Sequence, residues 1–373
     1  VIDFDRLRRW PDVEAPELVA HDATDRLLLD TAREALVSRS DDVVVIGDRY
    51  GALTLGTAEL VGGHPVRVHQ DSLSGELALA ANAERLELPV TWSHHGLDAD
   101  LLAGARTVLL QLPRGLDALD EIAEQVAAHA HPGVRLVAGG RVKHMTLAMN
   151  DVLRRHFGEV TAGLARQKSR VLTATSPRPG AQRTWPKASE HGELVVVAHG
   201  AAFAGSTIDI GTRRLLAVLD RVGPERLDVV DLGCGTGVLA ASFALAHPEA
   251  RVVATDQSWA AVESARATTA ATGVAERVRV SRDDAGASLP AASADLVLLN
   301  PPFHVGATVH AGIAHKLFVA AARLLRPGGE LWCVWNSPLG YRPDLERTVG
   351  PTEQVSRDAK FTVTRSTRRA PTV

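Results

Sequence analysis

Residues 231–237 read Asp-Leu-Gly-Cys-Gly-Thr-Gly, and residues 300–304 read Asn-Pro-Pro-Phe-His. In the first stretch, Gly233, Gly235 and Gly237 let the backbone turn sharply and approach a ligand with no Cβ in the way. A dinucleotide loop would follow Gly-x-Gly-x-x-Gly; here the third glycine comes one residue early, and Val238 stands in its place. That spacing disfavours a dehydrogenase. It suits S-adenosylmethionine, with Asp231 facing the methionine ammonium. In the second stretch, Pro301 and Pro302 fix φ and have no N–H to donate. The Asn300 side-chain oxygen and the Pro301 carbonyl can together accept both hydrogens of an –NH₂ group. Held that way, a planar amine is pushed towards a pyramidal nitrogen with its lone pair free for an in-line methyl transfer, by positioning and electrostatics. Asn300, Pro301, Pro302 and Phe303 are the expected catalytic corner. The Phe303 ring can stack on a flipped base, and His304 either touches that base or finishes the turn.

Two further acids fall in register. Asp256 lies about 20 residues past the glycine loop, where a carboxylate can accept both ribose hydroxyls. Asp284, beside Asp283, can accept from the adenine amino group or simply cap a turn. No step needs a metal, and none is expected.

These residues must be held by a particular frame. Apolar β-branched runs at 226–232, 250–255, 277–281, 294–299 and 330–335 alternate with Ala-rich stretches at 237–247, 258–273 and 313–325. Runs of this kind predict a parallel sheet covered by helices on both faces. The segments Thr-Glu-Gln-Val-Ser-Arg-Asp and Lys-Phe-Thr-Val-Thr-Arg-Ser-Thr then alternate with period two and predict a closing antiparallel pair. In such a sheet, ligands bind beyond the carboxyl ends of the strands. Both motifs sit there.

The first half repeats the plan in weaker form. Segment 42–55 parallels 227–240, 66–72 parallels 252–258, and 108–115 parallels 297–304. Ordered matches at a near-constant offset predict a duplicated α/β unit. Opposite Asp231 and Gly235 the first copy has Val45 and Arg49; opposite Asn300 and Phe303 it has Gln111 and Arg114. Arg49 is expected to intrude where a cofactor would lie, so the first copy is expected to bind none. The expected domains are 1–172 (degenerate copy, RNA contact or support), 173–192 (Pro-rich basic linker) and 193–373 (catalytic). From Arg166 to Lys187 every charge is positive, and Arg178, Arg183 and Lys187 are candidate phosphate contacts. Segment 138–144 is a second candidate, and both are also acceptable as plain surface.

Composition narrows the class without naming a function. The chain has 373 residues with 45 % hydrophobic and 23 % charged residues, a net charge of −3 and two cysteines. Two soluble α/β domains fit that length. The near-neutral charge supplies no global field towards nucleic acid, although a local patch can serve. Cys234 and Cys333 form neither a disulfide framework nor a zinc spacing. No apolar run reaches a membrane span, and the first residues lack the order of a secretory signal. A cytoplasmic protein with reduced thiols, no membrane partner and a monomeric state is expected.

With these motifs in place, the sequence resembles class I methyltransferases that act on a planar amide or amine. Over nearly its whole length it is similar to the bacterial ribosomal RNA guanine-N2 methyltransferases of the small- and large-subunit pair. The resemblance rests on Asn-Pro-Pro-Phe-His, on Ala-Phe-Ala-Gly-Ser-Thr-Ile-Asp-Ile-Gly-Thr-Arg-Arg-Leu-Leu (202–216), and on the C-terminal stretch from Gly328. In the second of these Ala204 replaces the family's Ser and Ile208 its Leu; Phe203 is carried over as a substrate-side candidate. The resemblance implies tandem methyltransferase folds with a degenerate first copy, S-adenosylmethionine as cofactor and ribosomal RNA, 16S or 23S, as partner. Adenine-N6 methylation and protein glutamine-N5 methylation use the same Asn-Pro-Pro chemistry and remain alternatives. A non-catalytic RNA-binding module for ribosome assembly is the reading from another class.

Overall fold

The computed structural model describes residues 2–38, 42–180, 183–302 and 307–370, with the backbone alone at 307–311. The chain divides into two compact units, Val1–Trp185 and Pro186–Val373.

The N-terminal unit runs α1 (Ala23–Ser38), β1 (Val43–Ile46), α2 (Ala52–Leu60), β2 (Val66–His69), α3 (Leu73–Arg85), β3 (Trp92–His94), α4 (Ala99–Leu102), β4 (Thr107–Gln111), α5 (Leu116–His129), β5 (Arg135–Arg141), α6 (Leu147–His156), β6 (Phe157–Ala162) and β7 (Ser169–Pro177). The C-terminal unit begins with a hairpin, β8 (Lys187–His191) and β9 (Leu194–Ala198). It continues through α7 (Ile210–Leu216), β10 (Asp228–Leu232), α8 (Val238–Ala246), β11 (Arg251–Asp256), α9 (Trp259–Ala271), β12 (Val278–Arg282), β13 (Ala294–Leu299), α10 (Ala307–Leu324), β14 (Leu325–Asn336), α11 (Arg342–Thr348), β15 (Thr352–Arg357) and β16 (Phe361–Thr367).

Among the described residues each unit carries one seven-stranded sheet, and the two orders coincide: β3-β2-β1-β4-β5-β7-β6 and β12-β11-β10-β13-β14-β16-β15. In both, the first five strands are parallel and the last two turn antiparallel. The fold is therefore α/β with mostly parallel sheets and a closing antiparallel pair, written twice.

Successive strand residues feed opposite faces of the C-terminal sheet. Val229, Leu296, Leu298, Trp332 and Val334 pack on one side with Phe243, Ala265 and Leu215. Val230, Leu232, Val297, Leu299 and Cys333 pack on the other with Phe318 and Leu345. Burying both faces is what requires the near-continuous apolar runs of these strands.

Three boundaries differ from the sequence reading. The stretch 173–192 is no free linker: β7 and β8 occupy its two ends, and Trp185 is buried, its indole N–H donating to Asp120 at 3.3 Å. Proline and glycine mark a change of direction, but the buried indole ties the tail of the segment to the first unit. Helix α10 starts earlier than expected, at Ala307. Strand β14 begins at Leu325, upstream of Pro-Gly-Gly, because a register shift between Ala294 and Leu296 accommodates those residues as an irregularity within the strand.

Hairpin strand β9 lies against helix α9 through hydroxyls. Thr268 Oγ1 accepts from Val197 N at 2.9 Å and donates to Val197 O at 3.2 Å; Ser264 and Thr272 accept from His199 N and Val195 N. A helix thus satisfies the backbone of an edge strand that would otherwise stay unpaired. This fixes where segment 199–209 departs towards the carboxyl end of the sheet.

Candidate active site

The sheet order changes direction between β10 and β13, which are neighbours with Asp231 opposite Leu298. The residues just past each strand therefore flank one crevice, where ligands bind in open α/β sheets.

The glycine loop hangs on the end of β11. Gly233 N and Cys234 N donate to Thr255 O at 2.8 and 3.0 Å. Gly233 (φ +76°) and Gly235 (φ +52°) are left-handed, and a Cβ on either would meet nothing within 4 Å. That open space is the cradle a ligand would fill. Gly237 differs: it precedes α8 at φ +77°, and a Cβ there would come within 2.9 Å of the Ala265 Cβ. Close packing of α8 on α9 thus demands glycine there.

Asp231 is fully buried. Its Oδ2 accepts from Ala240 N at 3.0 Å, and its Oδ1 has no hydrogen-bond partner among the described residues. Burial pushes its carboxyl up to about 7, with the nearby Asp256 charge adding to the rise and the Ala240 amide opposing it. A cation brought to Oδ1 would relieve that cost. Asp256 accepts from Gly235 N at 3.0 Å and from Ser258 N at 2.9 Å, so it fastens the loop to the start of α9, and ribose hydroxyls would share it with those amides. Asp283 is tied internally, accepting from Ser288 N and Oγ at 3.0 and 2.7 Å. Asp284 is gripped through both oxygens by Lys316 Nζ at 2.6 Å.

Asn300 is the best-defined group. Its Nδ2 donates to Asp209 Oδ2 at 3.2 Å and reaches Thr212 Oγ1 at 3.0 Å. A carboxylate oxygen can only accept, so the amide nitrogen must face Asp209 and the amide oxygen must face away. That oxygen is buried and has no partner among the described residues. It is an acceptor held ready for an N–H. Pro301 is buried and Pro302 exposed. Phe303 and His304 lie outside the described residues.

Sequence reasoning passed over Asp209 and Thr212. Asp209 is the N-cap of α7, accepting from Gly211 N at 2.9 Å and Thr212 N at 3.2 Å. The available signal was Asp-x-Gly-Thr before a helical stretch, but nothing linear pairs it with Asn300, 91 residues away. Among the substrate-side candidates, Phe203 is 59 % exposed in the turn between β9 and α7. Arg178 and Arg183 belong to the N-terminal unit, where Arg183 Nη2 lies 2.8 Å from His129 Nε2, and Lys187 opens β8.

The first copy shows the same places altered. Arg49, opposite Gly235, is exposed and lies 3.9 Å from Asp22. Asp48 takes the helix amides instead, accepting from Gly51 N, Leu53 N and Thr54 N at 3.1, 3.4 and 2.7 Å. Gln111, the counterpart of Asn300, donates to Asp25, so even the amide–carboxylate pairing survives there. Among the described residues no group of three or more His, Cys, Asp or Glu could hold a metal ion, and no helix is long and apolar enough to cross a membrane.

A duplicated class I methyltransferase fold, with an open glycine cradle beside an acceptor-lined corner, is the class these features define. Residues 193–365 match the Methyltransferase small domain family and residues 3–178 the RLMG N-terminal domain family. Ribosomal RNA large subunit methyltransferase G of Streptomyces avermitilis is 36 % identical, with 97 % of each chain covered. The Pseudomonas aeruginosa protein of the same name is 36 % identical, with 96 % of each covered. The chain belongs to the ribosomal RNA large subunit methyltransferase G family. The fold agrees with the solved T. thermophilus 16S rRNA N2 methyltransferase RsmC, in complex with AdoMet and guanosine, at TM-score 0.74 and 22 % identity over 98 % of this chain and 99 % of that one.

Proposed function

We propose that the protein transfers the methyl group of S-adenosylmethionine to the exocyclic N2 of a guanine in large-subunit ribosomal RNA. The observation that carries this reading is the oriented Asn300 amide, whose oxygen points away from Asp209 and accepts from nothing described. Family membership supports the ribosomal substrate, and the structural neighbour's complex with AdoMet and guanosine agrees with an amine acceptor on guanine.

S-adenosylmethionine, when bound, supplies an electrophilic methyl carbon and a sulfur that departs with the bonding pair. Gly233 and Gly235 leave room for it, Asp256 would take its ribose, and the free oxygen of Asp231 would face its ammonium. Asn300 Oδ1 and the Pro301 carbonyl hold the two N2 hydrogens. The nitrogen lone pair is thereby turned out of the ring system and towards the methyl carbon. As N2 forms its new bond it becomes cationic, and the two acceptors stabilise that charge more strongly than the neutral amine. One N2 proton then leaves to water. Phe303 would stack on the base in this arrangement. The N-terminal unit, its first loop closed on Asp48, binds no cofactor and serves RNA contact or support.

The test is in vitro methylation of protein-free ribosomal RNA with labelled S-adenosylmethionine, followed by digestion to nucleosides. N2-methylguanosine is the expected product from the large subunit; label on adenosine, on protein glutamine, or on neither rules the proposed function out.

A further inference from the structure

Resting on that reading, we infer that Asn336 is a specificity-determining residue whose side-chain oxygen accepts the N1–H of the target guanine. Its Oδ1, like that of Asn300, is buried without a hydrogen-bond partner among the described residues. Unlike an unpaired hydroxyl, an amide oxygen cannot rotate a proton to find a partner, and buried polar groups left unpaired are uncommon enough to need a reason.

Placement supplies the reason. Asn336 is the last residue of β14, the strand next to β13, with Leu299 opposite Cys333. Asn300 thus stands level with Val334, and Asn336 lies two residues further on. Trp332 and Val334 pack on the same sheet face as Leu298, and the alternation of strand residues puts Asn300 and Asn336 on that face too. From strand spacings the two Cα atoms are about 8 Å apart. Phe361 joins the two positions. It pairs directly with Asn336 across the antiparallel ladder, and so shares its face. A Cβ placed on Gly211 would come within 3.2 Å of Phe361 Cε1 and 3.4 Å of Asn300 Oδ1.

Two acceptors side by side select one edge. Guanine offers two adjacent donors, the N2 amine and N1–H. Adenine offers an amine beside a bare N1 lone pair, which would face the Asn336 oxygen with no proton between them. A glutamine amide offers its NH₂ beside a carbonyl and nothing further to donate. The Asn300 corner grips any of the three amines, so Asn336 would be what separates them.

The test uses a synthetic RNA spanning the methylated nucleotide, with the target guanine kept or replaced by 2,6-diaminopurine. That base keeps the N2 amine and lacks N1–H. Wild-type enzyme should favour guanine in kcat/KM by roughly tenfold or more, because a site built for a donor is left unpaired without it. Asn336→Ala should bring the guanine-to-diaminopurine ratio close to one, and Asn336→Asp, which keeps an acceptor, should retain the preference. A wild-type enzyme indifferent to the replacement, or an Asn336→Ala enzyme impaired equally on both RNAs, overturns the inference while leaving the function standing. Wild-type enzyme inactive on the guanine RNA takes down the function reading, and this inference with it.

Discussion

Substituting Asn300 separates chemistry from binding. In Asn300→Ala the Asp209 carboxylate keeps its bonds from Gly211 N and Thr212 N, so α7 stays capped and the fold should hold. What is lost is one acceptor for an amine that becomes cationic only in the transition state. Removing a single preorganised hydrogen-bonding group of this type costs about 2.7–4 kcal/mol, or roughly 10²–10³ in kcat. Asn300→Asp sharpens the argument. It places a second carboxylate where Nδ2 now sits 3.2 Å from Asp209 Oδ2, and two carboxylates that close cannot both ionise. The pair then holds one proton, which bonds the two acids and leaves an oxygen to accept from the amine. Asn300→Asp should therefore work best at acidic pH and fade as pH rises through the raised pKa of the pair. Single-turnover methylation across pH gives the rates, and calorimetric titration with S-adenosylhomocysteine should give wild-type affinity for both variants. A wild-type rate for Asn300→Ala, or a flat pH profile for Asn300→Asp, would refute the assigned role.

Three other outcomes follow from the same geometry. Gly235→Arg meets no steric block in the empty cradle and should fold despite about 1–2 kcal/mol of left-handed strain, yet lose S-adenosylhomocysteine binding; retained affinity in titration would contradict the cradle. Asp231, raised from 3.8 to about 7 chiefly by burial, carries in the folded state a proton that the unfolded chain releases above about pH 4. Its contribution to stability is accordingly greatest below that point and is lost as pH rises through about 7. Affinity for the cationic ligand should move the other way, rising roughly tenfold from pH 6 to 8, with no such rise in Asp231→Asn; a flat wild-type profile sinks the ammonium role. Thr268→Val leaves the N–H and carbonyl of Val197 without their partner and should cost about 1–3 kcal/mol in urea unfolding, with an unchanged midpoint counting against the hydroxyl clasp.

The parallel sheet was legible because strands buried on both faces need continuous apolar runs, and segments 226–232 and 294–299 supply them. The closing pair was legible from the alternating residue types of Lys-Phe-Thr-Val-Thr, although burial does not alternate there: Phe361, Thr362, Val363 and Thr364 are all buried. Hairpin β8–β9 was not, since its partners are hydroxyls on α9 rather than a neighbouring strand, and no period records that. At the site, Asn300 and the acids announced themselves by residue type and place. Their supports did not: nothing in the linear sequence pairs Asp209 with Asn300, 91 residues away, and nothing there links Asn336 to either. The glycines looked alike in sequence, and only the packed helices distinguish Gly237, set by Ala265, from Gly233 and Gly235, set by open space.

The most direct measurement is nucleoside mass spectrometry of ribosomal RNA from a strain lacking this protein, with the protein then restored. One N2-methylguanosine should be absent from the large subunit and regained with the wild-type chain but not with Asn300→Ala. An unaltered set of methylguanosines, or a missing methyladenosine in their place, would contradict the proposed function.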